Sequence, residues 1–315
     1  MAGLDTAWLL IVAMGIAAAC AMRAFGLTFD WSSAALPGFT SMALLAGVGV
    51  YRILRPDTCI ATALESTAQL ILFSAAAATL SYAVAALDAP FWDDRFAAWD
   101  RALGLNWRAY IAFVEGDGWL TTAFDIAYNS LMAQLIVAPL VLGFSGSLSA
   151  CRGFVRAVIV AGFVTVVISA FMPASSVFIH LGLLAREHST LDLAAAFDPS
   201  GPLNGLRAGT LKVVSLTGAE GIIAFPSFHA ALGVLFVAAF WRLRWTRWPA
   251  LALNATMIAA TPVNGGHYFV DVLAGIVVAV ASLLAARFLD RPARLSAPDN
   301  ETALPAQLAT EAQAR

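Results

Sequence analysis

Two short stretches of the sequence place a histidine where a polar segment meets an apolar run. The first, "FPSFHAA" (225–231), carries Pro226, Ser227 and His229. Proline is favoured at the first position of a helix, and the free N–H groups and dipole of such an end attract phosphate. Ser227 and the first-turn N–H groups therefore predict a phosphate-binding helix end, with His229 beside it as a proton donor.

The second stretch, "NGGHYFVDVLAG" (264–275), has His267 at the start of the last apolar run and Asp271 four residues later. Residues at that spacing share a helical face. An unpaired aspartate inside a span costs roughly 2.5–3.5 kcal/mol on insertion scales, so we expect Asp271 to pair with His267. A carboxylate that holds one imidazole nitrogen leaves the other nitrogen free to attack. The predicted roles are His267 as nucleophile, Asp271 as its orienting partner and His229 as the acid for the leaving oxygen.

The composition places these residues in a membrane protein. The chain has 315 residues, of which 60% are hydrophobic and 12% charged, against about 25% charged in soluble domains. The net charge of −2 gives no indication of a nucleic-acid partner. The three cysteines (Cys20, Cys59 and Cys151) form no C-x-x-C pair, and no His-x-x-x-His spacing occurs in an apolar segment. We therefore expect no disulfide framework, no metal site and no cofactor.

Eight apolar segments must position the histidines. They lie near 6–24, 36–54, 66–87, 119–143, 154–172, 226–241, 249–263 and 267–289. Several of them approach the roughly 20 residues that a spanning helix needs. They predict an all-α polytopic membrane helical bundle of about eight transmembrane helices over residues 1–290. Residues 291–315 turn polar and predict a disordered cytoplasmic tail.

Basic residues predict the orientation of this bundle. With the N-terminus inside, the inner loops and flanks hold eleven arginines, and the outer segments hold seven basic residues. The helix that begins near Pro226 then runs inward, "WRLRWTRW" (241–248) turns the chain, and the next helix runs outward. His229 and His267 are therefore predicted to meet at the outer face. Because Lys212 is the single lysine among eighteen basic residues and alanine is abundant, we expect a bacterial inner (plasma) membrane.

Two outer segments interrupt the spans. Residues 88–118 carry Trp92, Phe96, Trp99 and Leu103 at helical spacing, which predicts an amphipathic helix lying in the membrane interface. Such a helix serves either as an aromatic anchor or as the lining of a lipid-entry site. Residues 173–224 predict a long loop or a partly helical cap, in which His180 and His188 are ordinary surface residues.

The fourth apolar segment carries a polar stripe. Asp125 and Asn129 share a helical face, Tyr128 flanks that face, and Gln134 lies deeper in the span. These side chains either hold a headgroup or an acceptor alcohol, or they form the helix–helix hydrogen bonds that membrane bundles use.

The motifs "P-S-F-H" and "H-Y-F-V-D" resemble the second and third motifs of the type-two phosphatidic acid phosphatase superfamily. They are more similar to its inositol phosphorylceramide synthase and sphingomyelin synthase branch than to the soluble acid phosphatases. The stretches "WDRALGLNW" (99–107) and "AYNSLMAQ" (127–134) fit more loosely. The resemblance implies metal-independent chemistry through a phosphohistidine, with His267 as nucleophile, Asp271 as its partner and His229 as acid and base.

The chain departs from the phosphatase branch in its first motif. A K-x6-R-P sequence is absent, and no arginine precedes His267 closely. Arg95, Arg101 and Lys212 remain as outer candidates for neutralising the phosphate. The missing motif favours a lipid phosphotransferase that takes a phospholipid or sphingolipid. A lipid phosphate phosphatase, and a non-catalytic transporter or scaffold, are the alternatives.

Overall fold

The computed structural model describes residues 5–183, 201–217 and 221–289. Most of this part of the chain is helical. The helices are α1 (Thr6–Ala24), α2 (Ala35–Gly49), α3 (Thr58–Ala85), α4 (Asp93–Ala102), α5 (Trp107–Glu115), α6 (Gly118–Asn129), α7 (Leu131–Phe144), α8 (Leu148–Phe171), α9 (Val177–His180), α10 (Pro202–Arg207), α11 (Phe228–Phe240), α12 (Arg247–Asn264) and α13 (Phe269–Leu289). A 3-10 turn (Trp31–Ala34) and a π-helical turn (Val50–Leu54) extend α2 at its two ends.

The predicted all-α polytopic bundle is confirmed, and each of the eight apolar segments contains helix. Five described helices are long and apolar enough to cross a membrane, and a bent pair makes a sixth. The expected eight are reached only by counting α11 and α12 as well. The 13 residues of α11 span about 20 Å, less than the roughly 30 Å of a hydrocarbon core. Helix α12 has the length of a span but is more polar, and its Asn254 is completely buried.

The fourth predicted span is two helices rather than one. Helices α6 and α7 meet at an angle of 53°. The break lies at Ser130 and not at Pro139, which is accommodated inside α7. The Ser130 hydroxyl donates to the carbonyl of Ala127 at 2.6 Å and accepts from the Gln134 amide at 2.9 Å. Side chains of this kind satisfy backbone groups that a break in a membrane helix frees.

The starts of α11 and α13 lie against each other at one end of the bundle. The N–H of Ser227 donates to the carbonyl of Asp271 at 3.0 Å. Gly275, one turn further along α13, permits this approach, since a Cβ atom at that position would lie 2.2 Å from the carbonyl oxygen of Ser227. The fold therefore brings the two histidine stretches to one level.

The segment predicted as one interfacial helix forms α4 and α5. Phe96 is fully buried rather than facing the membrane, with its ring 4.4 Å from that of Phe225 and 5.9 Å from that of Tyr268. Trp99 and Leu103 remain exposed, at 43% and 57%. Helix α4 thus packs one face on the bundle end and leaves an aromatic face outward, so both predicted roles stay open.

The predicted outer cap is partly helical where the structure describes it. It contains α9, α10 and the strand β2 (Val213–Val214), which pairs in parallel with β1 (Thr28–Phe29). Lys212 precedes β2, and its carbonyl accepts from the N–H of Thr28 at 2.8 Å. His188 and the predicted tail, 291–315, lie outside the described residues.

Candidate active site

His267 and Asp271 form the predicted pair. The Nδ1 atom of His267 lies 3.3 Å from Oδ2 of Asp271. Both side chains are buried, at 4% and 0% exposure. His267 does not open the last helix, because α13 begins at Phe269. The histidine lies in the turn before the helix, after Gly266, whose φ of +63° is readily adopted only by glycine.

The remaining ring nitrogen of His267 points toward the start of α11. Its Nε2 atom lies 3.5 Å from the hydroxyl of Ser227. Ser227 is the N-cap of α11, and its hydroxyl accepts from the N–H of Ala230 at 3.3 Å. The helix therefore begins at Phe228, two residues later than the sequence predicted, and Pro226 lies outside it.

The first turn of α11 retains unused donors. Within the described residues, the backbone N–H groups of Phe228 and His229 have no acceptor. Such donors, together with the positive end of the helix dipole, form a binding site for an anion. The Ser227 side chain caps the helix, so two backbone N–H groups are the donors available at this end. The predicted binding of phosphate here stays a prediction.

Tyr128 contacts His229 and lies beside the glycine that His267 also flanks. Its ring stacks on that of His229, with centroids 4.1 Å apart and planes within 8°. Its hydroxyl lies 3.4 Å from Nδ1 of His229. A Cβ atom built on Gly265 would lie 2.7 Å from this hydroxyl and 2.6 Å from Cδ2 of His267. Tyr128 and His267 therefore flank the same glycine.

Asp100 of α4 fixes the start of α13. Its two carboxylate oxygens accept from the N–H groups of Phe269 and Val270, each at 2.9 Å. Burial raises the pKa of the Asp100 carboxyl, and the two backbone hydrogen bonds oppose this rise. Asp100 lies in the segment that was predicted to be an amphipathic interfacial helix, and no spacing in the sequence indicates this contact. The only feature of the sequence that pointed to Asp100 was the looser resemblance of the "WDRALGLNW" stretch to the superfamily.

A second carboxylate of α4 holds the neighbouring tyrosine. The hydroxyl of the buried Tyr268 donates to Asp93 at 3.0 Å, and Asp93 also accepts from the hydroxyl of Ser175 at 3.0 Å. On the other side, Val177 of α9 donates its N–H to the carbonyl of Gly266 at 3.0 Å. The turn that carries His267 is therefore held from α4 and from α9.

The PAP2 superfamily model matches residues 94–285. This range is more than half of the chain and contains His229, His267 and Asp271. The chain belongs to the PAP2 superfamily. No curated protein and no solved structure matches it significantly. PAP2 superfamily membership supports an integral membrane enzyme of the phosphatase or phosphotransferase type that acts on lipids.

The polar stripe of the fourth predicted span lies within the PAP2 match. The four residues of the stripe have different surroundings. Asp125 accepts from the side-chain amide of Asn264 at 2.6 Å, and Gln134 accepts from that of Asn254 at 2.8 Å. These two contacts fit the helix–helix interpretation. Tyr128 instead stacks on His229, as described above. Asn129 is exposed and donates to the backbone carbonyl of Asp125, so its predicted headgroup role stays a prediction.

The three candidate cations are all exposed side chains of this PAP2 protein. The guanidinium of Arg95 lies 4.0 Å from the ring centroid of Trp92, Arg101 lies in the last turn of α4, and Lys212 adjoins β2. Within the described residues, none of them has a hydrogen bond or ion pair to His229 or His267. Their predicted phosphate contacts therefore remain predictions.

His180 is closer to the site than an ordinary surface residue. Its ring centroid lies 6.1 Å from that of Tyr268, and its side chain is 25% exposed. Its Nε2 atom lies 3.9 Å from the carboxylate of Asp94. His180 is therefore partly buried against Tyr268, and its interpretation as an ordinary surface residue stays a prediction.

Proposed function

We propose that this protein is an integral membrane lipid phosphotransferase, similar to inositol phosphorylceramide synthases, that works through a phosphohistidine on His267. The observation that carries the proposal is the orientation of the His267 ring. Nδ1 faces the buried carboxylate of Asp271, and Nε2 faces the start of α11, where two N–H groups lack acceptors among the described residues. A nucleophile and a site for phosphate oxygens therefore adjoin each other.

The first half-reaction transfers the phosphoryl group to the enzyme. The lone pair of Nε2 forms an N–P bond as the P–O bond to the leaving group breaks, and His229 gives its proton to the departing oxygen. The Asp271 carboxylate keeps the proton of His267 on Nδ1 and stabilises the positive charge that develops on the ring. The N–H groups of Phe228 and His229 hold the phosphoryl oxygens.

The second half-reaction returns the phosphoryl group to an acceptor. Neutral His229 takes the proton of an acceptor hydroxyl, whose oxygen attacks phosphorus and breaks the N–P bond. With an alcohol such as a polyol or ceramide as acceptor, the enzyme is a transferase. With water it is a lipid phosphate phosphatase. The missing K-x6-R-P motif favours the alcohol.

A polar pair beside the site supports an alcohol acceptor. Asn264 donates to Asp125, but the Oδ1 atom of Asn264 is buried and has no hydrogen-bond partner among the described residues. Asn264 immediately precedes Gly265, the residue flanked by Tyr128 and His267. A hydroxyl-rich headgroup would satisfy this oxygen and the outer side chains of the stripe, Asp125 and Asn129.

A non-catalytic transporter or scaffold is the alternative from another class. Such a protein would not need a buried carboxylate paired with a histidine, because an aspartate at depth is costly unless it has a function. The intact set of Ser227, His229, His267 and Asp271 therefore favours the enzyme.

The test of the function is product analysis with purified protein. A phospholipid donor is supplied with and without a polyol or ceramide acceptor, and the lipid products are identified by mass spectrometry. We expect a phosphorylated acceptor that forms in the wild type and not in His267→Ala. Inorganic phosphate or a free phosphorylated headgroup as the sole product would instead assign hydrolysis. Unchanged lipid would favour the scaffold.

We propose that the site lies at the outer face of a bacterial inner membrane, because basic residues are more numerous in the predicted inner loops and flanks than in the outer segments. Cysteine labelling tests this orientation, and Gly265 is unsuitable for it because an added side chain would clash with His267. Exposed positions are suitable instead, with Asp94→Cys on the outer side and Trp245→Cys on the inner side, after removal of the native cysteines. An impermeant thiol reagent should label the first in intact cells and spare the second. The reverse pattern would overturn the orientation.

A further inference from the structure

An apolar cavity of about 340 Å³ lies between α2, α3 and α7. Ligand pockets in proteins commonly have volumes of roughly 300–1,000 Å³. The walls are formed by Pro37 of α2, Ala75 and Ala78 of α3, and Met132 and Ile136 of α7. The cavity is therefore large enough for part of a ligand and lies in the part of the bundle formed by membrane spans.

The chemistry of the lining fits hydrocarbon. Among the described residues, no charged side chain lines the cavity, and the lining is apolar except for the hydroxyl groups of Thr67 and Ser74. Thr67 already donates to the carbonyl of Ala63 at 2.9 Å. A charged headgroup would therefore lose its solvation here and find no opposite charge in this lining.

The cavity is continuous with the surface of the bundle that faces the membrane. Met132 and Ile136 line it and are nevertheless 68% and 51% exposed. Both belong to the bent α6–α7 pair, which is apolar enough to form a span. The molecules that contact the outside of such a span are lipids, so a lipid chain can enter from the bilayer without crossing water.

The α7 wall of the cavity begins close to the site in the sequence. Met132 follows Tyr128 by four residues, across the bend between α6 and α7, so their Cα atoms are at most about 14 Å apart. Tyr128 stacks on His229. This distance is within the length of a lipid tail, because one leaflet is about half of the roughly 30 Å hydrocarbon core.

Two of the three helices that line the cavity lie outside the superfamily match. The match begins at residue 94, whereas α2 and α3 end at Gly49 and Ala85. The candidate catalytic residues lie inside the matched range, whereas much of the cavity lining lies before it. Such a lining can alter substrate selection without altering the chemistry.

We propose that this cavity binds a hydrocarbon tail of the lipid substrate while the headgroup reaches His267, an inference that rests on the proposed function. A tail gains no hydrophobic free energy on moving from bilayer to protein, because lipid tails are as apolar as leucine. Van der Waals packing against the lining holds the tail instead, so that phosphorus lies near Nε2. The cavity therefore selects by the length of the tail.

The experiment fills the cavity and compares two substrates. Ala75→Trp places an indole in the cavity, and Ala133→Trp places the same side chain at an exposed position of α7 that does not line it. Each variant is assayed in detergent with a long-chain lipid donor and with a short-chain analogue of the same headgroup. In Ala75→Trp the ratio of kcat/KM for the long-chain to the short-chain donor should fall about 10-fold or more. In Ala133→Trp this ratio should match that of the wild type.

A second measurement tests tail binding independently of the proposed reaction. A long-chain lipid with a photoreactive group in its tail should label peptides of α2, α3 and α7 in wild-type protein, and filling the cavity should abolish the labelling. Tail binding would be overturned if a folded Ala75→Trp protein kept the wild-type ratio of kcat/KM for the two donors. It would also be overturned if Ala75→Trp were labelled as strongly as the wild type. If wild-type protein showed no turnover but its helices α2, α3 and α7 were labelled, the proposed reaction would be wrong and the proposed tail site would be supported.

Discussion

The Nδ1 atom of His267 lies 3.3 Å from Oδ2 of Asp271, and the same oxygen accepts the N–H of Tyr268 at 2.9 Å. One carboxylate oxygen therefore orients the imidazole and also fixes the turn that carries it. Both functions require an acceptor at this position. The arrangement explains why a fully buried aspartate is present at the mouth of a membrane span.

Replacing Asp271 by asparagine should disturb both functions, because the atom that faces Nδ1 of His267 also faces the N–H of Tyr268. An asparagine that turns its amide nitrogen toward Nδ1 makes Nδ1 an acceptor, which places the ring proton on Nε2 and removes the attacking lone pair. We expect turnover to fall on the order of 10²- to 10⁴-fold with little change in expression. The measurement is kcat with the lipid donor, and Asp94→Asn is the matched control because Asp94 is exposed. Turnover close to that of wild type would show that Asp271 does not orient the nucleophile.

Asp100 should contribute to stability and activity together. An asparagine at this position can accept from only one of the Phe269 and Val270 N–H groups, so one buried donor loses its partner. Leaving such a donor unsatisfied costs about 1–3 kcal/mol. We expect Asp100→Asn to lower Tm and kcat, whereas Asp94→Asn on the same helix should change neither. A drop in Tm with full kcat would show that the start of α13 does not position His267.

Gly265 should be intolerant of any side chain. An added Cβ would meet His267, the hydroxyl of Tyr128 and the backbone carbonyl of Thr261 within 2.9 Å. Because the carbonyl cannot move aside cheaply, the rings must shift, and a displacement of about 1 Å can lower activity about 10²-fold. Gly15→Ala in α1 is the control, since nothing lies within 4 Å of its added Cβ. Equal activities of the two variants would contradict the packing described here.

His229 should matter less when the leaving group is acidic. A lipid alkoxide needs a proton as it departs, whereas a nitrophenolate leaves unaided near neutral pH. We expect His229→Ala to impair turnover of the lipid by about 10²–10⁴-fold and to have a much smaller effect on an aryl phosphate ester that fits the site. The ratio of the two deficits is the measurement. Equal deficits on both substrates would refute the leaving-group role of His229.

The sequence predicted the contacts that are local or follow from topology. His267 and Asp271 are four residues apart, so helical spacing predicted their contact, and the turn at 241–248 predicted that His229 lies at the same end. Asp100 is 169 residues from Phe269, and no spacing rule joins them. The bend at Ser130 was also missed, because the apolar composition runs through it without interruption. Long-range hydrogen bonds and the angle of a break depend on packing that a single sequence does not display.

The central claim is that His267 carries the phosphoryl group, and detection of covalent phosphate on the protein tests it most directly. Purified enzyme is incubated with a donor labelled at phosphorus, quenched in base and digested, and the modified peptide is located by mass spectrometry. The account predicts acid-labile, base-stable phosphate on the peptide that contains His267. This phosphate should appear in the wild type, decline when an acceptor alcohol is added, and be absent from His267→Ala. Covalent phosphate that persists in His267→Ala would place the nucleophile elsewhere and contradict the account.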